Sequence, residues 1–238
     1  MNIIQQMNEL RLAGMSTLWD NIIKNSQHHQ LDLIDGLKLL LQAEKENRFL
    51  RRSDRLIQQA RFRYQASIEE ITFDKKRRVD KNVILSLSDC TFIEGGKSVV
   101  ITGPTGVGKS FVASALGHQA CNMGQPTKYY NFQNLLTSLK LARVDGSIFK
   151  LQKTLFKKSL LIIDDFGLQP LSDNQRIDFF ELIEQRHNRL STIYISQLPV
   201  KNWFDIIGEN TIADAIVDRI IHQSIMIEMK GESMRKIK

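Results

Sequence analysis

Cysteine is scarce: Cys90 and Cys121 are the only two, with neither Cys-x-x-Cys nor histidine spacing. That excludes a disulfide-stapled scaffold and a cysteine-based zinc site, and both thiols are expected to pack in a reducing cytoplasm. Long apolar runs are missing too. The longest clear one, LLII at 160–163, falls far short of the roughly 20 residues of a membrane span, so no membrane partner is expected. The first residues, MNIIQQMNELRLAG, mix polar and apolar types and hold no signal-peptide core. Acid is in short supply as well: 26 Asp and Glu face 33 Lys and Arg, for a net charge of +7. Such a balance attracts polyanions, and the placement of the charge then matters more than its sum.

What is present suits one sizeable domain and a small one: 238 residues, 42% hydrophobic and 25% charged. The chain is organised around residues 99–111, VVITGPTGVGKSF. A short apolar strand leads into a glycine-spaced turn and then a helix, the strand–loop–helix setting of G-x-x-x-x-G-K-[ST]. Glycines let the backbone curl so that successive N–H groups face phosphate oxygens, and the new helix aims its positive end at the same place. Gly103, Pro104, Thr105, Gly106, Val107, Gly108, Lys109, Ser110 and Phe111 are therefore the candidate nucleotide-binding residues. Lys109 can reach the β- and γ-phosphates, and Ser110 can offer its hydroxyl to Mg²⁺.

The strand LLIIDD at 160–165 ends in two carboxylates. A buried parallel strand delivers acids at its carboxyl edge, where the nucleotide of an α/β fold sits. Asp164 is the candidate metal acid, and Asp165 the group that orients or deprotonates the attacking water. A further strand, TIYIS at 192–196, ends in SQLP. Gln197, or Ser196, can hydrogen-bond the γ-phosphate or the water.

Two segments concentrate basic charge. Along the helix expected from 31 to about 63, Arg48, Arg52, Arg55 and Gln59 recur at three and four residues and share a face; Arg51 borders it, and Arg61 and Arg63 extend it. Leu33, Leu37, Leu40 and Leu41 form an apolar stripe on the same helix. The second segment, 134–158, is helical with a break at Asp145-Gly146 and carries Lys140, Arg143, Lys150, Lys153, Lys157 and Lys158 against Asp145 alone. Both suit DNA phosphates without base readout, or a solvated face. Residues 67–87, with KKRR at 75–78, read as a solvated connector, and QHHQ at 27–30 as a loop. The domain boundary is set near 67, giving 1–67 as a helical N-terminal domain and 68–238 as the nucleotide-binding domain.

With the phosphate loop, LLIIDD, SQLP, DRIIH and GESMR located in order, the chain resembles the IstB-type transposition helper ATPases, relatives of the DnaC-type helicase loaders in the AAA+ superfamily. The resemblance covers essentially the whole chain. It implies an α/β AAA+ fold with a parallel sheet behind a small all-helical domain, ATP and Mg²⁺ as cofactors, and ATP hydrolysis. Lys109, Ser110 and Asp164 match the Walker residues; Asp165 stands where the family commonly has Glu, which puts fast hydrolysis in doubt. Gln197 falls at the γ-phosphate sensor, Arg219 at an arginine finger supplied to a neighbouring subunit, and Arg235 at the second sensor. Also implied are a homo-oligomer on double-stranded DNA, a transposase of the same element as partner, and a bacterial cytoplasmic, nucleoid-associated location. Sharp bending of DNA costs roughly 1–6 kcal/mol, which many Arg and Lys contacts can offset. The rivals are a helicase loader with the same chemistry, a small-molecule phosphotransferase, and a module that uses ATP only as an assembly ligand.

Overall fold

The computed structural model describes residues 2–26, 31–73, 78–208 and 210–234. QHHQ at 27–30, positions 75–77 of the KKRR run and Arg235 lie outside them. The chain forms two compact units, Met1–Arg55 and Leu56–Lys238. No helix of the described residues is long and apolar enough to cross a membrane.

The first unit holds α1 (Ile3–Glu9), α2 (Ala13–Lys24) and most of α3 (Leu33–Ala60). Asn2 caps α1 by accepting from the Ile4 N–H at 3.2 Å. The join between α2 and α3 is polar as well as apolar. Glu44, buried on α3, accepts from the N–H groups of Gly14 at 2.8 Å and Met15 at 3.3 Å, donors that the first turn of α2 leaves without helical partners. Burial acts to raise the Glu44 pKa, but the Arg48 side chain and these two N–H groups outweigh it and hold the carboxyl below its usual range. The expected leucine stripe is only partly a core face: Leu40 is buried, whereas Leu33, Leu37 and Leu41 are exposed.

The second unit is built on five parallel strands: β1 (Val99–Thr102), β2 (Thr127–Asn131), β3 (Leu160–Phe166), β4 (Ser191–Ser196) and β5 (Ile225–Glu228), in the order β2-β3-β4-β1-β5. The inner strands read as unbroken apolar runs because alternate residues feed different cores on the two faces. Val99, Ile101, Ile162, Ile193 and Ile195 pack with α6 (Lys109–Asn122) and α4 (Lys81–Ser88). Val100, Leu161, Ile163 and Tyr194 belong to the other core, with α7 (Phe132–Val144), α9 (Asp173–Arg186) and α11 (Asn210–Ile221). Two four-to-nine-residue helices, α5 (Thr91–Glu94) and α8 (Ile148–Phe156), and a five-residue one, α10 (Trp203–Ile207), complete the unit. This is the α/β class that the family resemblance implies.

The described residues of 67–87 are not a solvated connector. Ile71, Val79, Ile84 and Leu87 are buried in the first core, and Asp80 caps α4 by accepting from Asn82 N–H at 2.8 Å. The apolar positions are spread among charges, so the stretch reads as polar although most of its apolar residues pack and only Leu85 is exposed among those described. Residues 56–66 also pack within the second unit, Leu56 and Ala60 against Cys121 and Ala66 in the main core. Cys90 and Cys121 are both buried and unpaired with each other, and burial pushes the Cys90 thiol up to about 11.

Candidate nucleotide site

Strand β1 ends at Thr102 and the chain turns through Gly103, Gly106 and Gly108, with φ of 144°, 86° and 100°. L-residues avoid these values, and this turn is where the glycine spacing is spent. At Gly103 the space is closed as well: an added Cβ would overlap the Met229 carbonyl. Helix α6 then begins at Lys109, which is 7% exposed and donates from Nζ to the carbonyls of Gly103 and Pro104, both at 2.8 Å.

Thr105, Gly106, Val107, Gly108, Lys109, Ser110 and Phe111 line a cavity of about 380 Å³, joined there by Asp165 and Gln197. Strand β4 lies between β1 and β3. Gln197, just past its end, therefore stands between the loop and the acids, and its side-chain oxygen accepts from the Thr105 hydroxyl at 2.5 Å. Gly103 and Pro104 line a neighbouring depression with Glu228 and Pro199 rather than this cavity. The opposite wall is supplied by Tyr64, Ile71 and Val79, with the Tyr64 and Phe111 rings 6.3 Å apart. Ile71 and Val79 come from the stretch 67–87 expected to be a connector.

The acids owe their placement to a bulge. Ile163 pairs with Tyr194 and Phe166 with Ser196, so Asp164 and Asp165 together oppose the single Ile195. The extra residue is Asp165, at φ 60°. A bulge of this kind re-aims side chains at the end of a strand. Asp164 points inward at 1% exposure, while Asp165 reaches the cavity.

Three side chains from outside the pair engage it, and none of them was expected there from the sequence. The Arg63 guanidinium, through one Nη, lies 3.1 Å from Asp164 Oδ2 and 3.1 Å from Asp165 Oδ2. The Tyr129 hydroxyl donates to Asp164 Oδ2, the Asn131 amide to Asp165 Oδ2 at 3.1 Å, and the Asp165 N–H to Asp164 Oδ1 at 2.8 Å. Burial, with the Asp164 charge beside it, drives the Tyr129 pKa far up, so its hydroxyl stays a donor. Burial works against the charged Arg63, but its bond to Asp164 and the surrounding negative charge raise its pKa above the ordinary value. Tyr129 and Asn131 sit on β2 beside β3, so a strand-pairing argument could have found them; Arg63, 101 residues before Asp164, left no local signal.

The remaining candidates lie elsewhere. Arg219 is held within its own chain by Glu184, by the Ala215 carbonyl at 3.0 Å and by the Phe180 ring 5.0 Å away, and it does not line the cavity. Arg48 pairs with Glu44 at 2.7 Å, while Arg51, Arg52 and Arg55 are exposed along α3. Lys140 and Lys150 are exposed on α7 and α8. Arg143 is not opposed by Asp145 alone: α9 brings Asp178 and Glu181 onto its guanidinium.

The residues fit a nucleotide and its metal. A Cβ on Gly106 would collide with Ser233, so the cradle stays narrow and backbone-lined. Ser110 and Asp165 both line the cavity and offer it oxygen donors, which suit Mg²⁺, whereas Asp164 does not line it and its oxygens engage Arg63, Tyr129 and the Asp165 N–H.

Comparison with known proteins agrees in kind. The chain is 39% identical over 233 residues to an insertion-sequence ATP-binding protein of Sinorhizobium fredii, covering 98% of this chain and 95% of the relative. It is 38% identical over 197 residues to the IS1162 ATP-binding protein of Pseudomonas fluorescens, covering 82% and 85%. Among solved structures, the DnaC helicase loader superposes with a TM-score of 0.58 at 24% identity, over 69% of this chain and 97% of that one, a likeness of fold. The sequence model of the IstB-like ATP binding protein family matches residues 5–238. With a phosphate loop, a bulged acid pair and an intervening glutamine on one sheet edge, the chain belongs to that family, on an AAA+ P-loop fold.

Proposed function

We propose that this protein is an ATP-dependent DNA-binding ATPase that assembles on target DNA, deforms it and recruits the transposase of its own mobile element. The observation that supports this most is the convergence of Lys109, Ser110, Asp165 and Gln197 on one cavity, in a chain similar over nearly its whole length to proteins named for insertion sequences. The loop amides and Lys109 bind the phosphates. Ser110 and Asp164 would hold Mg²⁺, which when bound neutralises charge on the β- and γ-oxygens. Asp165 orients the attacking water and accepts its proton; Gln197 positions the γ-phosphate end from across the Thr105 bond. The apolar wall of Tyr64, Ile71, Val79 and Phe111 suits the face of an adenine base.

Arg219 serves the site of a neighbouring copy, and Arg235 the second sensor position. Arg48, Arg51, Arg52, Arg55, Lys140 and Lys150 supply sequence-independent phosphate contacts. Arg143 joins them only by leaving Asp178 and Glu181. A helicase loader would share the chemistry, but the 24% likeness to DnaC concerns the fold, and the named relatives favour transposition. Affinity capture separates the two by recovering a transposase or a replicative helicase.

The decisive measurement is sizing with ATP, Mg²⁺ and a duplex. The wild type is expected to form a large nucleoprotein species that Lys109→Ala does not form. Equal assembly by the variant would overturn the proposal.

A further inference from the structure

Against β2, the outer strand of the sheet, lies a second cavity of about 610 Å³. Arg61, Lys128, Tyr130 and Asn134 line it, and Arg63 with Asp165 form a wall it shares with the nucleotide cavity. Its charge is one-sided. Asp165 is the sole carboxylate in the lining, and Arg63 and Asn131 already engage it. Among the described residues, neither Arg61 nor Lys128 forms an ion pair with a carboxylate.

Lys128 donates from Nζ to the Gln59 carbonyl at 3.0 Å and lies 5.5 Å from the centre of the Tyr130 ring. Partial burial, then the charges of Arg61 and Lys158, pull its pKa below the ordinary lysine value. Holding like charges together in a concave, half-dry place costs stability unless an anion shares the place. Shape and chemistry point to the same class of anion. A guanidinium fork and an ammonium match phosphate oxygens, Asn134 adds an amide, and the Tyr130 face offers a stacking surface to a base.

We propose that this cleft is a phosphate-ester site that takes one phosphate, with its sugar and base, from a nucleic-acid strand. The proposal rests on the DNA-binding reading above and adds to it a specific contact point beside the acid pair. A free nucleotide carries the same chemistry, so the test separates the two sources.

Anisotropy titration of a labelled single-stranded oligonucleotide, with Arg61→Gln/Lys128→Gln and the wild type, reads the site directly. The double variant is expected to bind about tenfold more weakly and to lose about 0.7 from the slope of log affinity against log salt, the signature of one lost phosphate contact. Its affinity for a fluorescent ATP analogue should match the wild type, which also shows that it folds. Unchanged strand affinity and slope in the variant would overturn the cleft while leaving DNA binding in place. Wild-type binding to a labelled duplex but not to the strand would overturn the cleft alone, and binding to neither would overturn both. Competition by AMP at the same nucleotide concentration as the strand would transfer the site to free nucleotides and overturn the strand assignment.

Discussion

Arg63 changes how the acid pair is to be understood. Two carboxylates joined through one backbone bond repel, and here a guanidinium 3.1 Å from each offsets that repulsion. Any cation that Asp164 is to share must therefore compete with Arg63. Arg63→Ala is expected to lower the melting temperature of the nucleotide-free protein and to reduce the Mg²⁺ concentration needed for half-maximal binding of an ATP analogue by several-fold. Binding in EDTA should be unchanged. Calorimetry and a Mg²⁺ titration check this; a variant with lower ATP affinity but unaltered ADP affinity would show Arg63 acting on the γ-phosphate instead. Residues 103–111, the LLIIDD string and Gln197 were legible in the sequence because each announces itself within a few positions. Arg63 was not, because it looked like one more charge on a basic helix, and only the fold brings it to acids 101 and 102 residues away.

At the scale of elements, legibility followed period and length. Strands β1, β3 and β4 were plain because both faces of the sheet are covered, so each carries an apolar run, with polar residues confined to its ends. The stretch before β1 was misread because Ile71 and Val79 are single anchors and Ile84 and Leu87 share only the eight-residue α4, too short for any period to accumulate. The pairing of α2 with α3 was hidden for a different reason. It depends on Gly14, where an added Cβ would overlap the Ala43 carbonyl and approach Asn47 Cβ to 2.7 Å. Gly14→Ala is expected to destabilise the N-terminal unit by about 1–3 kcal/mol, seen as lost hydrogen-exchange protection of α2. Glu44 links that unit to pH. Because its folded pKa lies below its unfolded value, its contribution is complete above the unfolded carboxylate pKa and is lost as pH falls through the folded one. Protection of α2 should decline across that acid window in the wild type and stay flat in Glu44→Gln, which starts lower; parallel declines would remove Glu44 from the account.

The whole molecule poses the question that one chain cannot answer alone. Arg219 is the residue that the family resemblance assigns to a neighbour's site, yet within its own chain it rests on Glu184 and the Phe180 ring, away from the cavity that holds Lys109. If it acts only across an interface, a subunit lacking Asp165 can still bind ATP, assemble and donate a working finger, and one lacking Arg219 can still hold ATP. Asp165→Ala and Arg219→Ala should each be inactive by themselves as DNA-bound assemblies. An equimolar mixture of the two should recover activity at about one quarter of its interfaces, those where an intact acid pair meets an intact arginine. The ratio of mixture to wild-type turnover, measured with ATP and duplex in excess, decides the matter. A mixture as inactive as its parts would mean that Arg219 works within its own subunit, and the Glu184 pair would then be its resting place in a site completed by closure of a single chain.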